Sequence, residues 1–232
     1  MSVAIVLGAG SGLGAALCHR FAQGGLKVAA ARRDGAAASA LAAEVSGRGY
    51  ACDVAAADQV AALFDAVVAD LGVPELVVFN AGAFRRGEVS ELDAATFEQC
   101  WRTSCLGGFH VARAAVAAMR PQGRGTLIFT GATASLRGGA GFSALAVPKF
   151  GLRALAQSLA RELGPEGLHV AHTLLDGQIR NPARGPDKGS DSRGPDALLN
   201  PEAIAEAYWQ LHCQPRSAWT QELDLRPWVE RF

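Results

Sequence analysis

The segment "VAIVLGAGSGLGAAL" at 3–17 constrains this chain more than any other. Five apolar residues run straight into a loop with glycine at 8, 10, 12 and 14, and then into Ala and Leu. The pattern describes a buried strand turning tightly into a helix. Without Cβ atoms, the backbone N–H groups and the helix start can come close to an anion such as a pyrophosphate. Gly8, Gly12 and Gly14, with Ser11 and Leu13 between them, give G-x-x-x-G-x-G. The better-known G-x-G-x-x-G spacing fails because Leu13 stands at its third glycine. Taken alone, the segment also suits an ordinary glycine-rich turn.

The rest of the chain repeats the same alternation. "VAIVL" (3–7), "KVAAA" (27–31), "GYAC" (49–52), "ELVVF" (75–79), "TLIFT" (126–130) and "HVAHTLL" (169–175) are short apolar runs that predict buried strands, and "LDL" (223–225) adds a seventh. Amphipathic or Ala-rich stretches at 13–24, 36–46, 56–71, 96–119, 147–163 and 201–212 predict helices between them. Strands alternating with helices imply βαβ units, hence a mainly parallel, doubly wound Rossmann-like α/β sheet with helices on both faces. With 232 residues and no evident linker or repeat, one domain over 1–232 is expected. The polar stretch 180–200, "RNPARGPDKGSDSRGPDALLN", is long for an internal loop. It suits either disorder or a substrate lid over about 178–200, and its place after a late strand favours the lid.

Composition narrows the function classes. Lys and Arg number 22, as do Asp and Glu, so the net charge is zero and no nucleic-acid footprint is expected. No uncharged apolar run is long enough for a membrane span, and the start lacks the basic region of a secretory signal. The five cysteines, Cys18, Cys52, Cys100, Cys105 and Cys213, are scattered and form no C-x-x-C pair. Free thiols, no metal site and a cytoplasmic setting are expected.

The end of the second strand bears on the choice of dinucleotide. NAD sites place a carboxylate there for the ribose 2′-OH, whereas NADP sites place Arg against the 2′-phosphate. This chain reads "VAAARRD", so Arg32 and Arg33 favour NADP over NAD, with Asp34 one residue away as the counter-signal.

Further motifs carry a resemblance. "ACDVA" places Asp53 and Val54 after the third strand, and "VVFNAGA" places Asn80, Ala81 and Gly82 after the fourth. With "GAGSGLG", "LLDGQIRNP" and "ELDLRP", the chain resembles the short-chain dehydrogenase/reductase family over essentially its whole length. The resemblance implies pyrophosphate contacts from the glycine loop, an adenine contact from Asp53, and an adenine–ribose wall from Asn80, Ala81 and Gly82. It also implies a small-molecule substrate and a homodimer or homotetramer built through the helices at 101–119 and 147–163.

The same resemblance exposes a gap. The family's chemistry uses Asn, Ser, Tyr and Lys, the last two spaced Y-x-x-x-K; the lysine lowers the tyrosine pKa and holds the nicotinamide ribose. Lys149 matches that lysine, yet Leu145 stands where the tyrosine belongs, and the only tyrosines are Tyr50 and Tyr208. Near the family's serine the chain reads Ala132, with Thr133 or Ser135 as hydroxyl candidates, and Ser104 matches the asparagine. The usual Pro-Gly after the sixth strand becomes Asp176-Gly177, with Ile179 matching the residue whose backbone meets the carboxamide.

Lys149 has a second reading as a helix lysine that snorkels its amine to water. Asp176 suits a local cap or a proton relay. Ser143 and His110 are weaker candidates for proton transfer, and Phe142 and Leu145 predict an apolar pocket. The expectation is an NADP-dependent oxidoreductase with an atypical proton donor, acting on a small carbonyl, imine or activated C=C bond. A catalytically impaired NADP(H) sensor and a scaffold subunit are the alternatives.

Overall fold

The computed structural model describes residues 2–181, 194 and 196–230. Seven strands form one parallel sheet: β1 (Val3–Leu7), β2 (Lys27–Arg32), β3 (Arg48–Ala51), β4 (Pro74–Phe79), β5 (Gly125–Thr130), β6 (Leu168–Leu175) and β7 (Glu222–Leu225). Their order is β3-β2-β1-β4-β5-β6-β7. The chain winds outward from β1 through β2 to β3, then crosses to the other side of β1 for β4. At that reversal a crevice opens outside the carboxyl ends of the strands, where α/β sheets bind ligands.

Helices cover both faces because the strands alternate buried side chains to each. Val3, Ile5 and Leu7 join one core with α3 (Ala57–Asp70), α5 (Gly107–Met119) and α6 (Ser143–Leu163). Ala4 and Val6 join the other with α1 (Leu13–Gln23), α2 (Gly35–Glu44) and α7 (Pro201–His212). Every residue of β1 and β6 is buried, as two-sided coverage requires.

The sequence pattern and the structure differ at two helices that matter to the site. The helix expected over 96–119 is α4 (Ala94–Trp101), a π-helical turn at Arg102–Leu106, and then α5. The wider turn is built over Thr103 and Ser104, which are buried. The helix expected from 147 begins at Ser143, so Pro148 lies inside it rather than in its first turn. Among the described residues no helix is long and apolar enough to cross a membrane, and no cluster of His, Cys, Asp and Glu could hold a metal. The lid expected at about 178–200 falls largely outside the described residues.

Candidate functional site

The glycine loop forms the floor of the crevice. Gly8 has φ +91°, and a Cβ there would lie 2.5 Å from the Ala81 backbone nitrogen. A Cβ on Gly14 would lie 2.5 Å from the Gly8 carbonyl oxygen. Both positions therefore require glycine for close packing of loop, helix and β4. Gly10, by contrast, faces open space. Among the described residues no side chain caps the start of α1, and its first residues line the crevice at the positive end of the helix dipole.

Two adjoining cavities share Gly8, Gly10, Arg32 and Asn80. The first adds Arg33, Asp34, Cys52, Asp53, Val54, Ala81, Gly82 and Thr103. The second adds Ser11, Gly12, Leu13, Gly14, Gly177 and Ile179, together with Gln178, Arg180 and Asn181. Every dinucleotide-contact candidate in the sequence except Lys149 therefore lines one continuous cleft. Gly10, Cys52, Thr103, Arg180 and Asn181 line it as well and were not legible as site residues. Asn181 reaches the loop: its side chain lies 3.4 Å from a Cβ built on Gly12, and Ser11 Oγ donates to its Oδ1 at 3.4 Å.

At the adenosine end, Arg32 ends β2 half-buried and Arg33 is exposed. Among the described residues no carboxylate pairs with either guanidinium. Asp34 is occupied elsewhere: it N-caps α2, accepting from the Ala37 backbone N–H at 3.0 Å. Asp53 accepts from the Ala55 N–H at 3.0 Å and so rigidifies its own turn. Asn80 donates through Nδ2 to the Gly8 carbonyl at 3.0 Å, tying the end of β4 to the glycine loop. Glycines that leave room, an uncapped helix start and unpaired arginines suit a long, multiply anionic ligand.

At the other end, Ser104 and Lys149 converge on Gly82. A Cβ on Gly82 would lie 3.8 Å from Ser104 Oγ and 4.0 Å from Lys149 Nζ. Ser104 Oγ accepts from the Ala83 N–H at 2.9 Å and donates to the Ala83 carbonyl at 3.3 Å. Lys149 does not snorkel: it is 7% exposed, and its amine donates to the Thr130 carbonyl at 2.6 Å. Burial pulls its pKa down to about 8. Half-buried Leu145 lies one helical turn before it.

Thr133 does not join this group in any direct contact. It follows β5 in a 3₁₀ turn, and its Oγ1 donates to Asp176 Oδ1 at 2.5 Å. The floor beneath is tight: a Cβ on Gly131 would lie 2.3 Å from His172 Nε2. Burial holds the His172 pKa down at about 4, and its Nδ1 lies 3.3 Å from Glu222. Arg153 forks onto Glu222 at 2.6 and 2.7 Å, locking α6 to β7.

Neither tyrosine reaches the site. Tyr50 donates to Asp70 at 3.0 Å. Tyr208, on α7, is fully buried and bonded to the hydroxyls of Thr130 and Thr173. His110 packs Nδ1 3.2 Å from the Val54 carbonyl.

Comparison with known proteins agrees with this architecture. The family model described as short chain dehydrogenase matches residues 2–177. The D-threitol dehydrogenase of Mycolicibacterium smegmatis is 34% identical over 173 residues, covering 72% of this chain and 66% of that protein, just under two thirds of its length. A crystal structure of a short-chain dehydrogenase from Rhodopseudomonas palustris superposes with a TM-score of 0.84 at 40% identity, covering 98% of this chain and 99% of the other. A metagenomic short-chain oxidoreductase solved in complex with NADP superposes with a TM-score of 0.83 at 26% identity, over 99% and 98% of the two chains.

Proposed function

Because the chain belongs to the short-chain dehydrogenase family, we propose that it is an NADP-dependent oxidoreductase with an atypical way of handling the proton at its substrate. A nicotinamide dinucleotide, when bound, supplies or accepts a hydride at a substrate carbon. The protein's part is to hold and orient it. Gly8, Ser11, Gly12, Leu13 and Gly14 take the pyrophosphate; Asp53, Val54, Asn80, Ala81 and Gly82 wall the adenosine; Gly177 and Ile179 present backbone to the carboxamide. Lys149 holds the second ribose, with Ser104 fixing the Ala83 backbone beside it. Arg32 and Arg33 receive the 2′-phosphate, and the engagement of Asp34 as a helix cap removes the carboxylate that would favour NAD.

The observation that carries the atypical part is Leu145 one turn before a buried Lys149, with both tyrosines held elsewhere. An alkyl side chain has no proton to give to a carbonyl oxygen as charge builds on it. A well-placed acid is worth about 10²–10⁴ in rate, so ordinary ketone reduction should be weak. The substrate class is a small carbonyl, imine or activated C=C compound. Titration of wild type and Lys149→Ala with NADPH tests the site, and unchanged affinity in the variant would remove the ribose-holding role.

The same residue at 145 also supports a second reading, an NADP(H)-binding sensor that does not turn over. Tight NADPH binding with no turnover on carbonyls, imines and enones would select it. We further propose a homo-oligomer, because Trp101, Phe109, Val147 and Phe150 are exposed on α4, α5 and α6, and α4 packs against α6.

A further inference from the structure

Along the carboxyl edge of the sheet the candidate site runs in strand order. Arg32 stands at β2, Gly8 at β1, Asn80 at β4, Thr133 just beyond β5, and Asp176 directly after β6. If the arginine end takes the adenosine phosphate, the β5–β6 end takes the reacting end. Thr133 and Asp176 form a hydrogen-bonded pair at that end, and the functional reading above leaves them without a role.

The geometry of the pair sets its polarity. Asp176 is 4% exposed, whereas Thr133, its hydrogen-bond partner at the carboxyl edge of the sheet, is half-buried and the more accessible of the two. The Thr133 hydroxyl proton is committed to Asp176 Oδ1 at 2.5 Å. A hydroxyl has one proton and two lone pairs, so Thr133 presents only lone pairs to an incoming group. A carbonyl oxygen is likewise an acceptor and finds no donor there. Behind the hydroxyl, Arg226 Nη1 lies 3.8 Å from Asp176 Oδ2, and the same guanidinium also pairs with Asp224. Lys149, the other cation of this region, is turned to the Thr130 carbonyl.

We propose that Thr133 and Asp176 form a subsite for a positively charged N–H donor, so that the substrate is a protonated imine and the product an amine. The inference rests on the oxidoreductase reading above and selects one of its three substrate classes. The chemistry then needs no acid at position 145. The imine carbon gains a hydride from a dihydronicotinamide, the C=N π pair moves onto nitrogen, and the N–H proton stays where it was. The product is the neutral amine, and the dinucleotide is oxidised by the same two electrons. Thr133 accepts the N–H hydrogen bond, and the carboxylate behind it offsets the positive charge.

The test is binding as well as turnover. With NADP saturating, 2-methylpyrrolidinium and the uncharged 2-methylcyclopentanone are titrated into wild type, Thr133→Val, Thr133→Ser and Asp176→Asn by calorimetry. The ammonium should bind wild type at least about tenfold tighter than the ketone, from the usual strength of a charge-assisted hydrogen bond. Thr133→Val and Asp176→Asn should each erase that preference, and Thr133→Ser should keep it. With NADPH, 2-methyl-1-pyrroline should be reduced faster than the ketone. An ammonium that binds no better than the ketone, or a preference that survives in Thr133→Val, overturns the inference while leaving the NADP reading intact. Failure of wild type to bind NADPH removes that reading and the inference together.

Discussion

The Lys149 amine donates to the Thr130 carbonyl across 2.6 Å in a position that water barely reaches. Burying an ammonium disfavours its charged form, and here it holds the pKa at about 8 rather than 10.5. The unfolded chain binds more protons between those two values, so this residue makes stability rise with pH from about 8 to 10.5. Full relief is on the order of 3 kcal/mol. Lys149→Met should therefore be at least as stable as wild type at pH 7, with its advantage shrinking as pH approaches 10. Urea unfolding of both proteins across that range measures it. A constant difference would show that burial does not lower the pKa of this amine in the folded protein.

Leu145→Tyr places a phenol one helical turn before Lys149. Because the amine is already fixed next to Gly82, the substitution should create or raise NADPH-dependent ketone reduction by about 10²–10⁴ over wild type. Initial rates on a panel of small ketones provide the check. No gain, with folding and NADPH affinity retained, would mean that position 145 does not face the reacting carbon.

Asp34→Ala separates two roles for one carboxylate. As the N-cap of α2 it should contribute about 1 kcal/mol to stability. As a ribose ligand it would instead govern affinity for NADH. The expected outcome is a lower urea midpoint with NADPH and NADH affinities unchanged.

Much of this was legible in the amino-acid sequence, and the misses have physical causes. The strands were visible because two-sided burial makes "VAIVL" and "HVAHTLL" continuous apolar runs. The glycine loop was visible because only glycine fits beside Ala81 and the Gly8 carbonyl. The π-helical turn at Arg102–Leu106 was not, since it depends on how Ser104 meets Ala83, 21 residues away. The start of α6 at Ser143 was hidden by Pro148, which suggested a first turn four residues too late. Asp34 could not be assigned to a cap until its bond to Ala37 placed it there. The partnership of Thr133 with Asp176 spans 43 residues and joins two different strand ends. No local pattern carries such a contact.

Exposed Phe150 and Val147 on α6, and exposed Trp101 on α4, which packs against it, predict association through this surface. Phe150→Glu should shift wild-type oligomers to a smaller species in light scattering coupled to size exclusion. Its NADPH affinity should stay unchanged.

The most direct measurement is calorimetric titration of wild type and Arg32→Ser with NADPH and NADH. A phosphate held by an Arg pair is a charge-assisted contact of roughly 1.5–3 kcal/mol, so wild type should prefer NADPH by at least about tenfold. Arg32→Ser should lose most of that preference while NADH affinity holds. Equal affinity of wild type for the two, or no binding of either, would contradict the account.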